Sequence, residues 1–134
     1  MIVVLDSNVI VAAFAGRGLC SSVFELCINK YTICISEHIL TEVKKALTKK
    51  IKLPATKAAA INEYLQEFCQ VNTYAPLCSP ICRDSDDDNI LALSVQSNAD
   101  YIITGDTDLL EVKSFGEIPI ISPRRFWEIA KQSC

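Results

Sequence analysis

The sequence predicts an α/β fold with a mainly parallel sheet covered by helices on both faces. Short apolar, β-branched runs alternate with stretches whose apolar residues have helical spacing, and no segment repeats. This alternation is typical of right-handed crossovers between parallel strands. Half of the 134 residues are apolar, which is enough for one domain with a substantial core. We therefore expect a single domain over residues 1–134.

Four strands are expected from continuous apolar runs, at residues 2–5, 31–35, 101–104 and 118–121. Helices are expected at 9–14, 21–30, 37–50, 56–71, 89–97 and from Pro123 onward, because their apolar residues recur every three or four positions. Ser36 resembles the N-cap of the third helix, and Asp87 or Asp88 that of the fifth. A loop with two prolines is expected at 72–86.

Composition excludes several classes of protein. No apolar run approaches the roughly 20 residues that a membrane span needs, and Asp6 interrupts the N-terminal run, so neither a span nor a signal peptide is expected. Seven cysteines are an odd number and lie mostly in apolar stretches, which indicates reduced thiols in a cytoplasmic protein. A zinc site at Cys78 and Cys82 is disfavoured, because no second cysteine pair follows and His38 is the single histidine.

Charge is unevenly distributed along the chain, whose formal net charge is −3. Four short segments hold eight of the 16 acids, which leaves eight acids against 13 bases elsewhere. The eight are Asp6, Glu42, Asp84, Asp86, Asp87, Asp88, Asp106 and Asp108. This pattern suits an acidic metal pocket in a surface that can face phosphates.

The acidic segments occupy related places in the predicted topology. Asp6 directly follows the first strand, and Asp106 follows the third after one glycine. Glu42 lies in the helix that follows the second strand, and the run 84–88 begins the helix that leads into the third. Function in open α/β sheets gathers at the carboxyl ends of the strands, so we expect these acids to meet at one edge.

Carboxylates gathered at one edge repel each other, and a hard divalent cation relieves that repulsion. Mg²⁺ and Mn²⁺ prefer carboxylate and water oxygens. An ion held in this way can activate water and neutralise a phosphodiester, so phosphodiester hydrolysis is the favoured chemistry. Taken one at a time, the same residues also fit purely structural roles. Asp6 could be a helix cap, and residues 84–88 could form a solvent-exposed loop.

Other templates fit poorly. A calcium loop starting at Asp84 would need Gly and Glu where Asn89 and Val95 stand. No glycines follow the first strand, which disfavours a Rossmann or Walker phosphate loop. A haloacid-dehalogenase-like phosphatase would need a second Asp at the position of Asn8. His38 is interpreted as a partly buried or surface helix histidine, with general-base catalysis as the alternative.

Four segments in order resemble the motifs of PIN domains. The first is Asp6-Ser7-Asn8-Val9-Ile10 after an apolar strand, and the others are residues 36–42, 84–94 and 99–110. Each motif is weak alone, but the ordered set spans nearly the whole chain. The most similar members are prokaryotic PIN proteins regarded as toxins of toxin–antitoxin pairs, related to the VapC toxins.

The resemblance implies a three-layer α/β/α fold with a parallel sheet of about five strands, and a Mg²⁺- or Mn²⁺-dependent ribonuclease. Carried over residue by residue, the catalytic and metal-binding acids are Asp6, Glu42, Asp87 and Asp106. Asp87 is preferred to Asp88 from its spacing to Ala92 and Ser94, although Asp88 and Asp108 stay open as further ligands. Asn8 and Thr104 would be polar groups that hold the carboxylates.

The implied partners are an RNA substrate, a small antitoxin protein and a second copy of the chain in a homodimer. Lys44, Lys45 and Lys49, with Lys50 and Lys52, follow Glu42 and are candidates for RNA binding, although such a run also fits a plain solvated surface. The alternative function is a non-catalytic or RNA-processing module whose main role is to bind a protein partner. Metal-stimulated RNA cleavage would separate a nuclease from a purely binding module.

Overall fold

The structure is a computed structural model that describes residues 1–16 and 18–132. Cys134, expected to be reduced like the other cysteines, lies outside the described residues. The six described cysteines are all free. The strands are β1 (Ile2–Leu5), β2 (Thr32–Ile35), β3 (Gln70–Val71), β4 (Tyr101–Ile103), β5 (Ser114–Phe115) and β6 (Ile118–Ile121). The helices are α1 (Ser7–Ala15), α2 (Leu19–Lys30), α3 (Glu37–Lys49), α4 (Ala55–Phe68), α5 (Ser85–Gln96), α6 (Thr107–Val112) and α7 (Pro123–Gln132).

The sheet has six strands in the order β3-β2-β1-β4-β6-β5. The first five run parallel to their neighbours, and β5 pairs antiparallel with β6 at the edge. The predicted α/β fold with a mainly parallel sheet is therefore confirmed, and the sheet has one strand more than the five expected. β1 lies in the middle, where Val3, Val4 and Leu5 are fully buried, as its continuous apolar run predicts.

The helices cover this sheet and enclose one continuous cluster of buried apolar residues. α5 packs across β1, β2 and β4, while α1 packs against α2 and α3. Ser36 caps α3 as predicted, since its hydroxyl accepts the backbone N–H of Ile39 at 3.2 Å. Within the described residues no single helix is long and apolar enough to cross a membrane, and only the bent pair α1 and α2 reaches that length and composition together.

Two predicted helix boundaries are wrong, each for a local reason, and two further short elements were not expected. The helix expected at 56–71 ends at Phe68, Cys69 follows as its C-cap, and Gln70 and Val71 form β3 by pairing in parallel with Cys34 and Ile35. α5 begins at Ser85 rather than at 89, because Asp84 caps it by accepting the N–H of Asp86 at 2.9 Å. The short α6 and β5 were not expected, and Gly116 makes the turn between β5 and β6 with a φ of 61°.

Candidate active site

Three of the predicted acids converge at the carboxyl edge of the sheet. Asp6 follows β1, Asp106 follows the neighbouring parallel strand β4, and Asp87 lies in the first turn of α5. Each offers a carboxylate oxygen, and these oxygens lie within 4.8 Å of one another. We call Asp6, Asp87 and Asp106 the three-acid cluster. Its members are separated by up to 100 positions in sequence and are brought together by the parallel pairing of β1 with β4.

The Asp6 carboxylate is held by three donors. The Thr104 hydroxyl donates to Oδ2 at 2.7 Å, and the Asn8 side-chain amide donates to the same oxygen at 3.3 Å. The backbone N–H of Ser7 donates to Oδ1 at 2.7 Å. With these bonds and only 6% of its surface exposed, Asp6 has a fixed orientation.

Thr104 and Asn8 also tie the ends of the two strands together. The Thr104 hydroxyl oxygen accepts the backbone N–H of Asp106 at 3.0 Å, and Thr104 is fully buried. The Asn8 side-chain oxygen accepts the backbone N–H of Gly105 at 3.2 Å. Both residues therefore contact the Asp6 carboxylate, and both also fix the loop that carries Asp106.

The three-acid cluster is electrostatically strained. Burial raises the pKa of Asp6, and the charge of Asp106 adds to this, while hydrogen bonds from Thr104 and Ser7 partly offset it. Burial and the neighbouring Asp106 raise the pKa of Asp87 to about 7. Among the described residues, no lysine or arginine forms an ion pair with any of the three.

This donor set fits a hard divalent cation. It consists of three carboxylates whose oxygens are close enough to share one ion, with no basic side chain to neutralise them. Two of them also cap helices, because Asp6 accepts the N–H of Ser7 in α1 and Asp106 accepts the N–H of Asp108 in α6 at 2.9 Å. The cap role and the cluster role are therefore combined in the same side chains. Mg²⁺ and Mn²⁺ are the ions that such oxygens suit.

Glu42, the fourth acid of the predicted set, lies in a neighbouring group. Its carboxylate groups with His38 and Asp86, and one ligand atom from each lies within 4.8 Å of the others. We call His38, Glu42 and Asp86 the histidine cluster. Burial raises the pKa of Glu42. The charge of Asp6 raises it further, and a hydrogen bond from the Ser7 hydroxyl lowers it, so the histidine cluster lies next to the three-acid cluster.

The two further acids that were considered as ligands have other contacts. Both carboxylate oxygens of Asp88 face the preceding loop, where they accept the backbone N–H of Ile81 at 3.2 and 3.3 Å, and Oδ1 accepts that of Cys82 at 2.8 Å. Asp108 pairs with Arg83 at 3.3 Å near the surface. Among the described residues, neither belongs to a group of three potential ligands.

A groove of about 850 Å³ leads from the histidine cluster along α1 and α3. Small and apolar residues such as Ala12 and Ala46 line part of it, and three lysines line it as well, namely Lys45, Lys49 and Lys50. Lys44, also predicted to bind RNA, is exposed but is not among the lining residues. A second cavity, of about 420 Å³ between the 72–84 loop and α5, has no acid in its described lining.

Sequence reasoning did not assign His38 and Asp86 to the site. The four-residue spacing of His38 and Glu42, which puts both on one face of α3, was the available signal. It was overlooked because the apolar residues that follow His38 favoured a packing role. His38 is partly buried, as expected, but its Nε2 atom faces the two carboxylates.

Comparison with known proteins gives one family and several structural neighbours. A family model described as PIN domain matches residues 2–108. No curated protein has a significantly similar sequence. VapBC-1 from nontypeable Haemophilus influenzae is 16% identical with a TM-score of 0.66, over 92% of this chain and 99% of that chain.

Two other solved structures are similar to the same degree. VapBC2 from Rickettsia felis, bound to a DNA fragment from its promoter, is 15% identical with a TM-score of 0.64, over 91% of this chain and 98% of that chain. VapC20 from Mycobacterium tuberculosis, a toxin that cleaves the sarcin–ricin loop, is 15% identical with a TM-score of 0.60, over 87% and 98%. At these identities the similarity is one of fold.

Thr104→Val is expected to lower the free energy of unfolding by about 1 to 3 kcal/mol, because the Asp106 N–H loses its acceptor and Asp6 loses a donor. Loss of that donor also raises the pKa of Asp6 further. Urea unfolding and carboxyl NMR titration measure the two effects. Thr107→Val, at an exposed threonine nearby, is the control and should change neither. If the two variants have the same free energy of unfolding and the same Asp6 pKa, the hydrogen bonds assigned to Thr104 are contradicted.

The metal-free chain is expected to lose stability as the pH rises from about 4 to about 7. The pKa of Asp87 is about 7 in the folded chain against an ordinary 3.8, so the folded state holds this proton more tightly than the unfolded state does. Ionisation across this interval therefore disfavours folding. Asp87→Asn should flatten the pH dependence of stability, and Glu111→Gln, at an exposed acid, should not. Urea unfolding midpoints between about pH 4 and about pH 7 measure this dependence. An unchanged slope in Asp87→Asn would refute the raised pKa assigned to Asp87.

Proposed function

The chain belongs to the PIN-domain family, and from that premise we propose that it is a Mg²⁺- or Mn²⁺-dependent endoribonuclease that acts as the toxin of a toxin–antitoxin pair. The observation that carries the proposal is the three-acid cluster, in which Asp6 and Asp87 are buried and one carboxylate oxygen from each acid lies within 4.8 Å of the others, with no basic partner among the described residues. Helix capping explains Asp6 and Asp106 one at a time, but it gives no reason to add the like charge of Asp87 beside them.

The proposed metal-binding and catalytic residues are Asp6, Asp87, Asp106 and Glu42. When bound, Mg²⁺ or Mn²⁺ would lower the pKa of water and neutralise charge on the phosphodiester. Asp6 would be the most rigid of the four, because Thr104, Asn8 and Ser7 hold it. Glu42 would act from the side of the groove, next to Ser7.

The lysine-lined groove supports RNA as the substrate. Lys45 and Lys49 lie one helical turn apart on α3 and line the same groove as Glu42. Their ammonium groups can bind the phosphates on either side of the one to be cleaved, while the apolar lining of the groove can contact sugar and base surfaces. Substrate binding and metal binding would thus use separate parts of one continuous surface.

The toxin role is supported by the structural neighbours. Two of them are VapBC assemblies, and a third is a toxin that cleaves the sarcin–ricin loop. By analogy we propose that a small antitoxin protein binds this chain and that the chain acts on RNA in the cytoplasm, where the free cysteines would stay reduced. The homodimer stays an expectation that the resemblance to PIN domains implies.

Asp106→Asn is expected to lower metal-dependent RNA cleavage by roughly 100-fold or more, because it removes a proposed ligand while keeping the size of the side chain. Cleavage of single-stranded and hairpin RNA by the purified chain is measured with Mg²⁺, with Mn²⁺ and with EDTA. Glu111→Gln, at an exposed acid of α6, is the matched control and should cleave like the wild type. Cleavage that survives EDTA or Asp106→Asn would contradict the proposal. Complete lack of cleavage by the wild type with either metal would favour the non-catalytic binding module.

The double variant Lys45→Gln and Lys49→Gln is expected to weaken RNA binding and to reduce its salt dependence. Each lost phosphate contact should lower the slope of log K against log salt by about 0.7 for single-stranded RNA. Fluorescence anisotropy at several salt concentrations measures both quantities. Lys44→Gln is the matched control, since Lys44 lies on the same helix but does not line the groove. A larger effect of Lys44→Gln than of the double variant would place the RNA elsewhere.

A further inference from the structure

The histidine cluster offers a second metal position of different chemistry. We propose that His38, Glu42 and Asp86 bind a divalent transition-metal ion, such as Zn²⁺ or Mn²⁺, through the His38 Nε2 atom and two carboxylate oxygens. The role of this ion in RNA cleavage rests on the proposed function, but its binding does not. The proposal gives the site a second ion with a nitrogen ligand, next to the all-oxygen three-acid cluster.

The distances in the cluster suit ligands of one ion. His38 Nε2 lies 2.9 Å from Asp86 Oδ1 and 3.5 Å from Glu42 Oε1. Ligand atoms about 2.1 Å from one ion lie about 3.0 Å apart when they are adjacent in octahedral coordination, and about 3.4 Å apart in the tetrahedral coordination usual for Zn²⁺. Small side-chain adjustments would therefore bring all three atoms to one ion.

The Nε2 atom of His38 is shielded from solvent and forms no hydrogen bond, although a third of the side chain is exposed. A protonated ring could form ion pairs with Asp86 and Glu42, whereas a neutral ring leaves Nε2 without a partner. Buried polar atoms normally have such a partner, and one without it needs an explanation. A metal ion between the nitrogen and the two carboxylates provides one, because each group then directs a lone pair to the ion instead of to its neighbour.

The cluster is also supported by rigid elements. His38 and Glu42 are four residues apart on α3, which Ser36 caps. Asp86 lies in the first turn of α5, where its N–H is held by Asp84. The phenol of Tyr74 stands close by, since burial and the charges of Asp86 and Glu42 raise its pKa. Among the described residues, the ion-pair partner of either carboxylate is His38 itself, and no lysine or arginine pairs with them.

The ligand set selects the class of ion. An imidazole nitrogen suits Zn²⁺ and its first-row neighbours, whereas Mg²⁺ prefers oxygen ligands. We therefore expect the three-acid cluster to accept Mg²⁺ or Mn²⁺ and the histidine cluster to prefer Zn²⁺ or Mn²⁺ to Mg²⁺. Glu42 is within the electrostatic reach of Asp6, so the two positions would be adjacent.

The test uses the fact that the chain has a single histidine. The full chain, without an affinity tag and labelled with ¹⁵N-histidine, is titrated with Zn²⁺ and separately with Mg²⁺ at neutral pH. The long-range ¹H–¹⁵N spectrum of the ring then reports on His38 alone. Zn²⁺ is expected to move the Nε2 resonance to the range of a metal-bound nitrogen near one equivalent, and Mg²⁺ is expected to leave it in place.

Three variants separate the positions. Asp86→Asn should weaken the Zn²⁺-induced change at least about tenfold. Asp87→Asn, which alters the three-acid cluster, should leave it intact. Glu37→Gln, at an exposed acid next to His38, is the matched control and should also leave it intact.

The outcomes distinguish this inference from the proposed function. An Nε2 resonance that stays in place with Zn²⁺, or that responds to Asp87→Asn and not to Asp86→Asn, would overturn the inference. If the wild type cleaves RNA but Zn²⁺ leaves the Nε2 resonance in place, the inference is overturned and the proposed function is not. A metal-bound Nε2 in a chain that cleaves no RNA with any of the three ions would support it while overturning the proposed function.

Discussion

Mutual repulsion among Asp6, Asp87 and Asp106 is the constraint that the rest of the site has to satisfy, because their carboxylates lie close together at one edge of the sheet and those of Asp6 and Asp87 are buried. Two charges about 4 Å apart near a protein surface repel by about 4 kcal/mol. A helix N-terminus next to a carboxylate offsets about 0.3 to 1 kcal/mol of this repulsion. A hydrogen bond to the charged carboxylate offsets about 1.5 to 3 kcal/mol of it. Asp6 has several such donors, whereas Asp87 keeps a pKa of about 7. The repulsion that remains is what a divalent cation would relieve.

The sequence predicted those features that depend on backbone topology. Continuous apolar runs identify β1, β2, β4 and β6, and parallel pairing of β1 with β4 necessarily brings the residues after them to one edge. For this reason Asp6 and Asp106 could be paired from the sequence although they lie 100 positions apart. β3 could not be predicted, because Gln70 and Val71 form a strand of only two residues and both are exposed. Their side chains therefore carry no periodic signal of a strand.

The directions of the acidic side chains in the site could not be predicted from the sequence. Successive residues of a helix point about 100° apart, so the acidic run at the start of α5 sends its members to different places. Asp84 caps the helix, Asp86 faces His38, Asp87 joins the three-acid cluster and Asp88 holds the preceding loop. Predicting this division requires the first residue of α5, and the sequence misplaced that residue by four positions. Helix rotation likewise turns Glu42 towards His38.

The separation of lysines from acids would allow one surface to bind the two proposed kinds of ligand. Lys45 and Lys49 line the groove that begins at Glu42, yet among the described residues neither forms an ion pair with an acid. A lysine within 4 Å of the three-acid cluster would neutralise one carboxylate and weaken its attraction for a cation. It would also lose its own ability to bind a phosphate. Because the two signs of charge stay apart along the groove, the acids remain free for metal ions, and the lysines remain free for an anionic chain that reaches them.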